Sequence, residues 1–260
     1  MTWALKRQLF YILILVLFFG TGAYLIIHPH LNKAPTCSDR TQNGDELGVD
    51  CGGICARACI AHVDDVSVLW SRAFRVVPGR YNVVAYLSNH NKNIAVSKIN
   101  YRFRFADKNN IYIGKREGRA YIPPSGNFAI FESGVDVGNS VPVYVTFEFT
   151  QAPVWTYVEQ DKIDQVKVLV SNTHLEGADT RPKLSATIKN GSLFTIPNVD
   201  IVAILYDSSG NSVTTSRTFL DVLKPEEAAH VTFTWPEAFT KKVVRIEILP
   251  MFNIFSAKLQ

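Results

Sequence analysis

The chain has 260 residues, 47% apolar and 19% charged, with a formal net charge of +4. Lys6 and Arg7 supply two of those charges and the rest are interspersed, so no basic patch or charged tail argues for nucleic acid. Sixteen Phe, ten Tyr and four Trp are spread through alternating runs, which favours β structure over long amphipathic helices.

The first element is Leu9–Ile27, a stretch without a charged side chain that follows Lys6 and Arg7. As a helix it would reach roughly 28 Å, close to the thickness of a bilayer core. A buried core helix would be shorter and less uniformly apolar. A cleaved signal peptide usually has a shorter apolar core and a small-residue cleavage site, for which only Gly20–Ala23 offers material. The expected organisation is a cytoplasmic tail at 1–8, a transmembrane helix at 9–27 in contact with the lipid bilayer, and everything after it on the far side. The positive-inside bias of Lys6 and Arg7 sets that orientation. Tyr11 and Tyr24 stand near the two ends, where amphipathic rings favour the headgroup zone.

All four cysteines, Cys37, Cys51, Cys55 and Cys59, fall in a linker at 28–61. An even number on an extracellular or periplasmic segment predicts two disulfides, with three pairings open. Four thiolates on zinc are the rival arrangement. Between the first two cysteines, Asp39–Asp50 reads as a twelve-position loop with oxygen-bearing side chains at Asp39, Thr41, Asn43, Asp45 and Asp50 and a turn at Gly44. This spacing approaches a calcium loop, because oxygen ligands recur and glycine permits the wrap round an ion. Thr41 and the short Asp50 are weaker ligands than that pattern uses, and the alternative is a set of Asx turns without metal.

The string from Cys37 to Cys59, with Asn43-Gly44, Glu46 and Gly48-Val49-Asp50-Cys51-Gly52-Gly53, resembles a small cysteine-rich motif of secreted and surface proteins, mostly bacterial. It departs at Arg40, where the motif usually has Gly, and in a final Cys55–Cys59 spacing one residue longer. The resemblance covers about a tenth of the chain. It implies a surface location and a spacer beside the membrane, and no enzymatic activity.

After the linker, the expected domains are β-sandwiches at 62–152 and 153–260. Tyr81–Asn89 aligns with Arg181–Asn190, and Ile99–Asp107 with Val199–Asp207. The polar turn Asp107–Asn110 aligns with Asp207–Gly210, all at an offset of about 100. Tyr101, Phe103 and Phe105 alternate with Arg102 and Arg104, so one set faces a core and the other water. Ile201–Leu205 is apolar on both faces and belongs in a central strand. Around seven short strands per copy predict an all-β fold of two tandem immunoglobulin-like sandwiches, with a barrel as the other option. The copies resemble extracellular sandwich modules of bacterial membrane-anchored proteins, which implies binding or spacing roles.

Few residues invite a mechanism. The six histidines are scattered, and no His-Glu-x-x-His, Gly-x-Ser-x-Gly or phosphate loop occurs. Gly114–Gly118 is read as a charged hairpin turn whose Lys115 and Arg116, with Arg119, offer an anion-contact surface. Trp155 and Tyr157 are expected to pack between the copies, with an aromatic ligand platform as the alternative. Asn190-Gly191-Ser192 is formally a glycosylation acceptor. The expected function is non-enzymatic binding or scaffolding of another envelope protein or a surface polymer. The alternatives are a homotypic spacer and, more remotely, an envelope hydrolase. No cofactor is expected except calcium.

Overall fold

The computed structural model describes residues 3–31 and 36–259, with side chains for all of these except 28–31. Met1 and Thr2 of the expected tail, positions 32–35 of the linker, Gln260, and the side chains of His28 and His30 lie outside the described residues. The chain divides into two units, Met1–Cys55 and Ala56–Gln260.

The first unit opens with α1 (Trp3–Leu31). Its apolar side chains are exposed along the length from Trp3 to Ile27, a segment long and apolar enough to cross a membrane. Thr21 does not break it, because its hydroxyl donates back to the Leu17 carbonyl at 2.6 Å. The Arg7 guanidinium lies 5.5 Å from the Trp3 ring and 5.8 Å from the Tyr11 ring. A tight coil follows, crosslinked by a Cys37–Cys55 disulfide. Cys51 and Cys59 are disulfide-bonded too, so the two expected bridges are present.

The second unit holds two sandwiches. The first contains β1 (Ser67–Val77), β2 (Arg80–Asn89), β3 (Ile94–Ala106), β4 (Tyr112–Ile122), β5 (Gly126–Asp136), β6 (Tyr144–Phe149) and β7 (Thr156–Tyr157). One sheet has the order β1-β2-β5; the other is β4-β3-β6, with β7 on the start of β3. After the short α2 (Gln160–Gln165) comes the second sandwich. Its strands are β8 (Val168–Glu176), β9 (Lys183–Asn190), β10 (Phe194–Tyr206), β11 (Ser212–Leu223), β12 (Ala228–Thr234), β13 (Arg245–Met251) and β14 (Lys258–Leu259). Its sheets are β12-β9-β8 and β11-β10-β13, with β14 on the start of β10. The two sandwiches therefore share one strand order, position for position, and every pairing is antiparallel. Because β7 pairs with Ile94 and Ala95, the first sandwich extends past the expected division at 152–153.

Patterning explains the layers. Tyr101, Phe103 and Phe105 of β3 are buried, while Arg102 and Arg104 point outward. On that outer face Arg102 pairs with Glu117 at 2.6 Å and Glu148 at 3.2 Å, and Arg104 with Glu148 at 2.9 Å. This ladder corrects the reading of Gly114–Gly118 as a hairpin turn. These residues lie within β4, opposite Tyr101–Phe105, and the reversal is made by Asp107–Ile111. Cross-strand charge pairs outweigh the turn preference of the two glycines.

The two-sided strand β10 shows how the sandwiches meet. Ile201, Ala203 and Leu205 fill the second sandwich, whereas Val202, Ile204 and Tyr206 join the buried cluster of the first. In β2, Val83, Val84, Ala85, Tyr86 and Leu87 are all buried. The face of β1-β2-β5 that points away from its own sandwich thus packs on the face of β11-β10-β13, and four sheets stack in series.

Candidate functional site

In the cysteine-rich loop the side chains named from sequence close the backbone on itself. Asp39 accepts from the Thr41 N–H at 2.9 Å and from the Asn43 side-chain amide at 2.9 Å. Those bonds, Asn43 first, hold its carboxyl below the ordinary range. Asp50 accepts from the Arg40 N–H at 3.0 Å. Asp45 has its backbone carbonyl against Gly53, where an added Cβ would overlap it, and Gly53 holds φ 60°. Arg40 itself sits at φ 62°, a backbone state that glycine, the usual residue of the resembling motif, adopts without steric cost.

The residue that organises this loop is Glu46. It is only 8% exposed, and Oε2 accepts from the N–H groups of Asn43 at 3.4 Å and Asp50 at 3.2 Å. Its Oε1 lies 3.2 Å from Cys55 Sγ. Among the described residues, the group of three potential ligand atoms within 4.8 Å is Cys37, Glu46 and Cys55, whose two sulfurs are tied to each other. Asp39, Asp45 and Asp50 do not come together in this way.

The other residues named from sequence are dispersed. Lys115 pairs with Glu117 at 3.1 Å, and Arg116 with Glu132 at 2.9 Å. Arg119 lines a cleft described below. Trp155 is buried in the core of the first sandwich, while Tyr157 is 37% exposed. Beside them Val158 packs with Ala95, Ile163, Ile254 and Phe255, so the segment after β7 joins the start of β3 in the first sandwich to the end of the second.

The sheet-on-sheet junction gathers polar groups that pattern reading passed over. Glu247 accepts from Tyr86 at 2.7 Å and Tyr206 at 2.9 Å, one hydroxyl from each sandwich. Arg245 donates to the same carboxylate at 3.2 Å and lies 3.6 Å over the Tyr206 ring. Burial, then Glu247, pushes the Tyr86 pKa up to about 12 and raises that of Tyr206 as well. Both hydroxyls therefore remain protonated donors at neutral pH.

Elsewhere at the same junction lies a cleft of about 320 Å³. Lys98, Arg119, Tyr121, Phe131, Asp200 and Arg217 line it, over an apolar floor completed by Ile130, Val202 and Met251. Arg217 pairs with Asp200 at 3.3 Å and holds its guanidinium 5.5 Å from the Phe131 ring. Burial raises the Asp200 pKa against the opposing pull of Arg217. The Tyr121 hydroxyl is buried and has no hydrogen-bond partner. A sequence signal for this site existed in Asp200, a carboxylate directly before the apolar two-sided run Ile201–Leu205.

No family model matches the chain, and no curated protein matches it. Among solved structures, red sea bream transglutaminase is similar at 10% identity and a TM-score of 0.24, over 73% of this chain and 29% of that one. A glycosyl hydrolase family 2 member from Bacteroides cellulosilyticus has 8% identity and a TM-score of 0.23, over 66% and 27%. A β-glucuronidase from glycoside hydrolase family 2 has 11% identity and a TM-score of 0.21, over 84% and 29%. The chain spans less than a third of the length of each.

Proposed function

We propose that this is a non-enzymatic, membrane-anchored cell-surface protein that binds or scaffolds another envelope component. In this reading α1 crosses the membrane with its N-terminus in the cytoplasm. The disulfide-bonded coil is a short spacer with the Asp39–Asp50 loop closed by Asx turns, and two immunoglobulin-like repeats lie outside. The observation that carries the reading is the stack of four sheets. A flexible string of modules would keep a polar face on β10, whereas here that face is buried against its neighbour and the pair forms one stiff body.

Contact with a partner falls to the surfaces that the stack leaves open. At one end of the first sandwich, Tyr112 and Tyr144 flank Ala106 in register, and Ile111 and Val143 lie beside them, all four exposed. Exposed aromatic and aliphatic groups of this kind are typical interface anchors. The adjoining charged ladder of Arg102, Arg104, Glu117 and Glu148 is already paired within the sheet.

Two measurements test the proposal on the full chain in a bacterial membrane. After disulfide reduction, protease added to intact spheroplasts should cut the coil and release the sandwiches, while an engineered N-terminal tag stays protected. Sandwiches that remain shielded under those conditions until the cells are lysed would overturn the orientation. A photoreactive residue replacing Tyr112 or Tyr144 should give a discrete heterotypic adduct. An adduct of twice the chain mass would point instead to a homotypic spacer.

A further inference from the structure

The cleft between the sandwiches has the chemistry of a ligand site rather than of a packing defect. Three cationic side chains, Lys98, Arg119 and Arg217, face one carboxylate, Asp200, so the opening carries an excess of positive charge. Its floor is apolar and aromatic, with Phe131 under the Arg217 guanidinium. Buried hydroxyls are almost always hydrogen-bonded, and the Tyr121 hydroxyl is not. In the same junction the hydroxyls of Tyr86 and Tyr206 both reach Glu247, so the fold elsewhere supplies an acceptor for each tyrosine it buries there.

We propose that this cleft binds a small organic anion, a carboxylate or phosphate ester on a compact apolar body. The anionic head would accept from Arg119 and Lys98 at the mouth and from the Tyr121 hydroxyl inside, and the body would lie on Phe131 and the aliphatic floor. A volume of about 320 Å³ is at the low end for ligand cavities, which suits a single-ring or short-chain compound. Asp200 keeps Arg217 oriented, with Arg217 Nη1 3.3 Å from its carboxylate. The walls come from both sandwiches, with β4 and β5 on one side and β10 and β11 on the other, so occupancy also bridges the stack. The proposal stands apart from membrane anchoring and from the identity of any protein partner.

The test uses the full chain in a neutral detergent. The fluorine resonance of 4-fluorobenzoate is titrated, with phenyl phosphate as competitor and 4-fluorobenzyl alcohol as the uncharged control. The expected result is saturable broadening of 4-fluorobenzoate, reversal by phenyl phosphate, and at least tenfold weaker binding of the alcohol. Arg119→Gln should weaken 4-fluorobenzoate about tenfold, the scale of one charged contact. Tyr121→Phe should weaken it several-fold while leaving the unliganded melting temperature unchanged or higher, because no internal bond is lost. That pairing separates a ligand-facing hydroxyl from a merely buried one. Absence of saturable binding, equal binding of the alcohol, or affinity untouched by both substitutions would overturn the proposal.

Discussion

At the scale of single residues, each sandwich is locked by a buried asparagine at the end of its second strand. Asn190 is fully buried, and its side-chain amide donates to the carbonyls of Phe194 at 2.7 Å, Leu223 at 3.1 Å and Lys224 at 3.0 Å. Its Oδ1 accepts from the N–H and hydroxyl of Ser192. Asn89 does the same work between Ile94 and Pro123 in the first sandwich. Asn190 and Ser192 thus plug the core while Gly191 is exposed, and the Asn190 amide is out of reach of a glycosylating enzyme once the chain has folded. Asn190→Ala leaves several carbonyls unpaired in the interior and should cost roughly 2–4 kcal/mol in denaturant unfolding. Asp207 is a second such residue. The Asn211 N–H, Lys241 and the Ser209 N–H hold its carboxyl below the ordinary value of 3.8. A depressed folded pKa gives stability above the unfolded value that is lost as pH falls through the folded one. Between about pH 5 and about pH 3 the melting temperature of the native chain should therefore fall more than that of Asp207→Asn. Equal slopes would remove the assignment. The Asn-ending strand and the Asp turn were both visible in sequence as repeated letters. Their roles were not, because the partners are carbonyls brought close only by the fold.

At the scale of elements, alternation was the informative signal. The in-out pattern of Tyr101–Phe105 located β3, and the apolar run of Ile201–Leu205 identified β10 as covered on both sides. What it could not reveal was that the second cover is the other sandwich, since a two-sided strand only demands some apolar neighbour. Gly114–Gly118 was misread because glycine and charge normally mark turns, yet a glycine is needed inside β4 for a different reason. A Cβ at Gly118 would overlap the Tyr101 hydroxyl and come within 2.8 Å of Glu132 Oε1. That hydroxyl donates to Glu132 at 2.8 Å, so the space is already filled. Gly118→Ala should destabilise by about 1–3 kcal/mol in denaturant unfolding, because the new Cβ would also lie 2.6 Å from the Tyr101 ring carbon Cζ. In the cysteine-rich loop the calcium spacing was legible, but Asp39 is occupied by the Thr41 N–H and the Asn43 side-chain amide and Asp50 by the Arg40 N–H, and a motif does not show that these residues pair with each other. Calcium or chelator should leave the melting temperature of the full chain unchanged, whereas dithiothreitol should open the coil to proteolysis. A calcium-dependent rise would restore Asp39, Asn43 and Asp50 as ligands.

At the scale of the whole molecule, the second unit should unfold as one body although it contains two sandwiches. Tandem domains with small polar contacts melt separately, but here the shared cluster includes Val202 and Ile204 from β10 with Val84 and Phe131 from the first sandwich. Polar bonds also cross the junction, from Tyr86 to Glu247, from Asn82 to the Thr215 carbonyl at 3.3 Å and from Arg75 to Glu237 at 2.7 Å. The Arg75 pair is half-exposed and adds little, so coupling rests on the cluster and on Glu247. A double-mutant cycle of Tyr86→Phe and Glu247→Gln should give an interaction of about 1–2 kcal/mol. Native hydrogen exchange should then place β3 and β9 at the same opening free energy, since neither sandwich can open without exposing the other's face. Val202→Asp buries a carboxylate between the sheets while leaving each inner core intact. It should split the transition in two, with β3 and β9 exchanging at different free energies. If the native chain already shows two midpoints, the stacked sheets touch without sharing stability, and the stiff body proposed for display outside the membrane becomes a pair of independent modules.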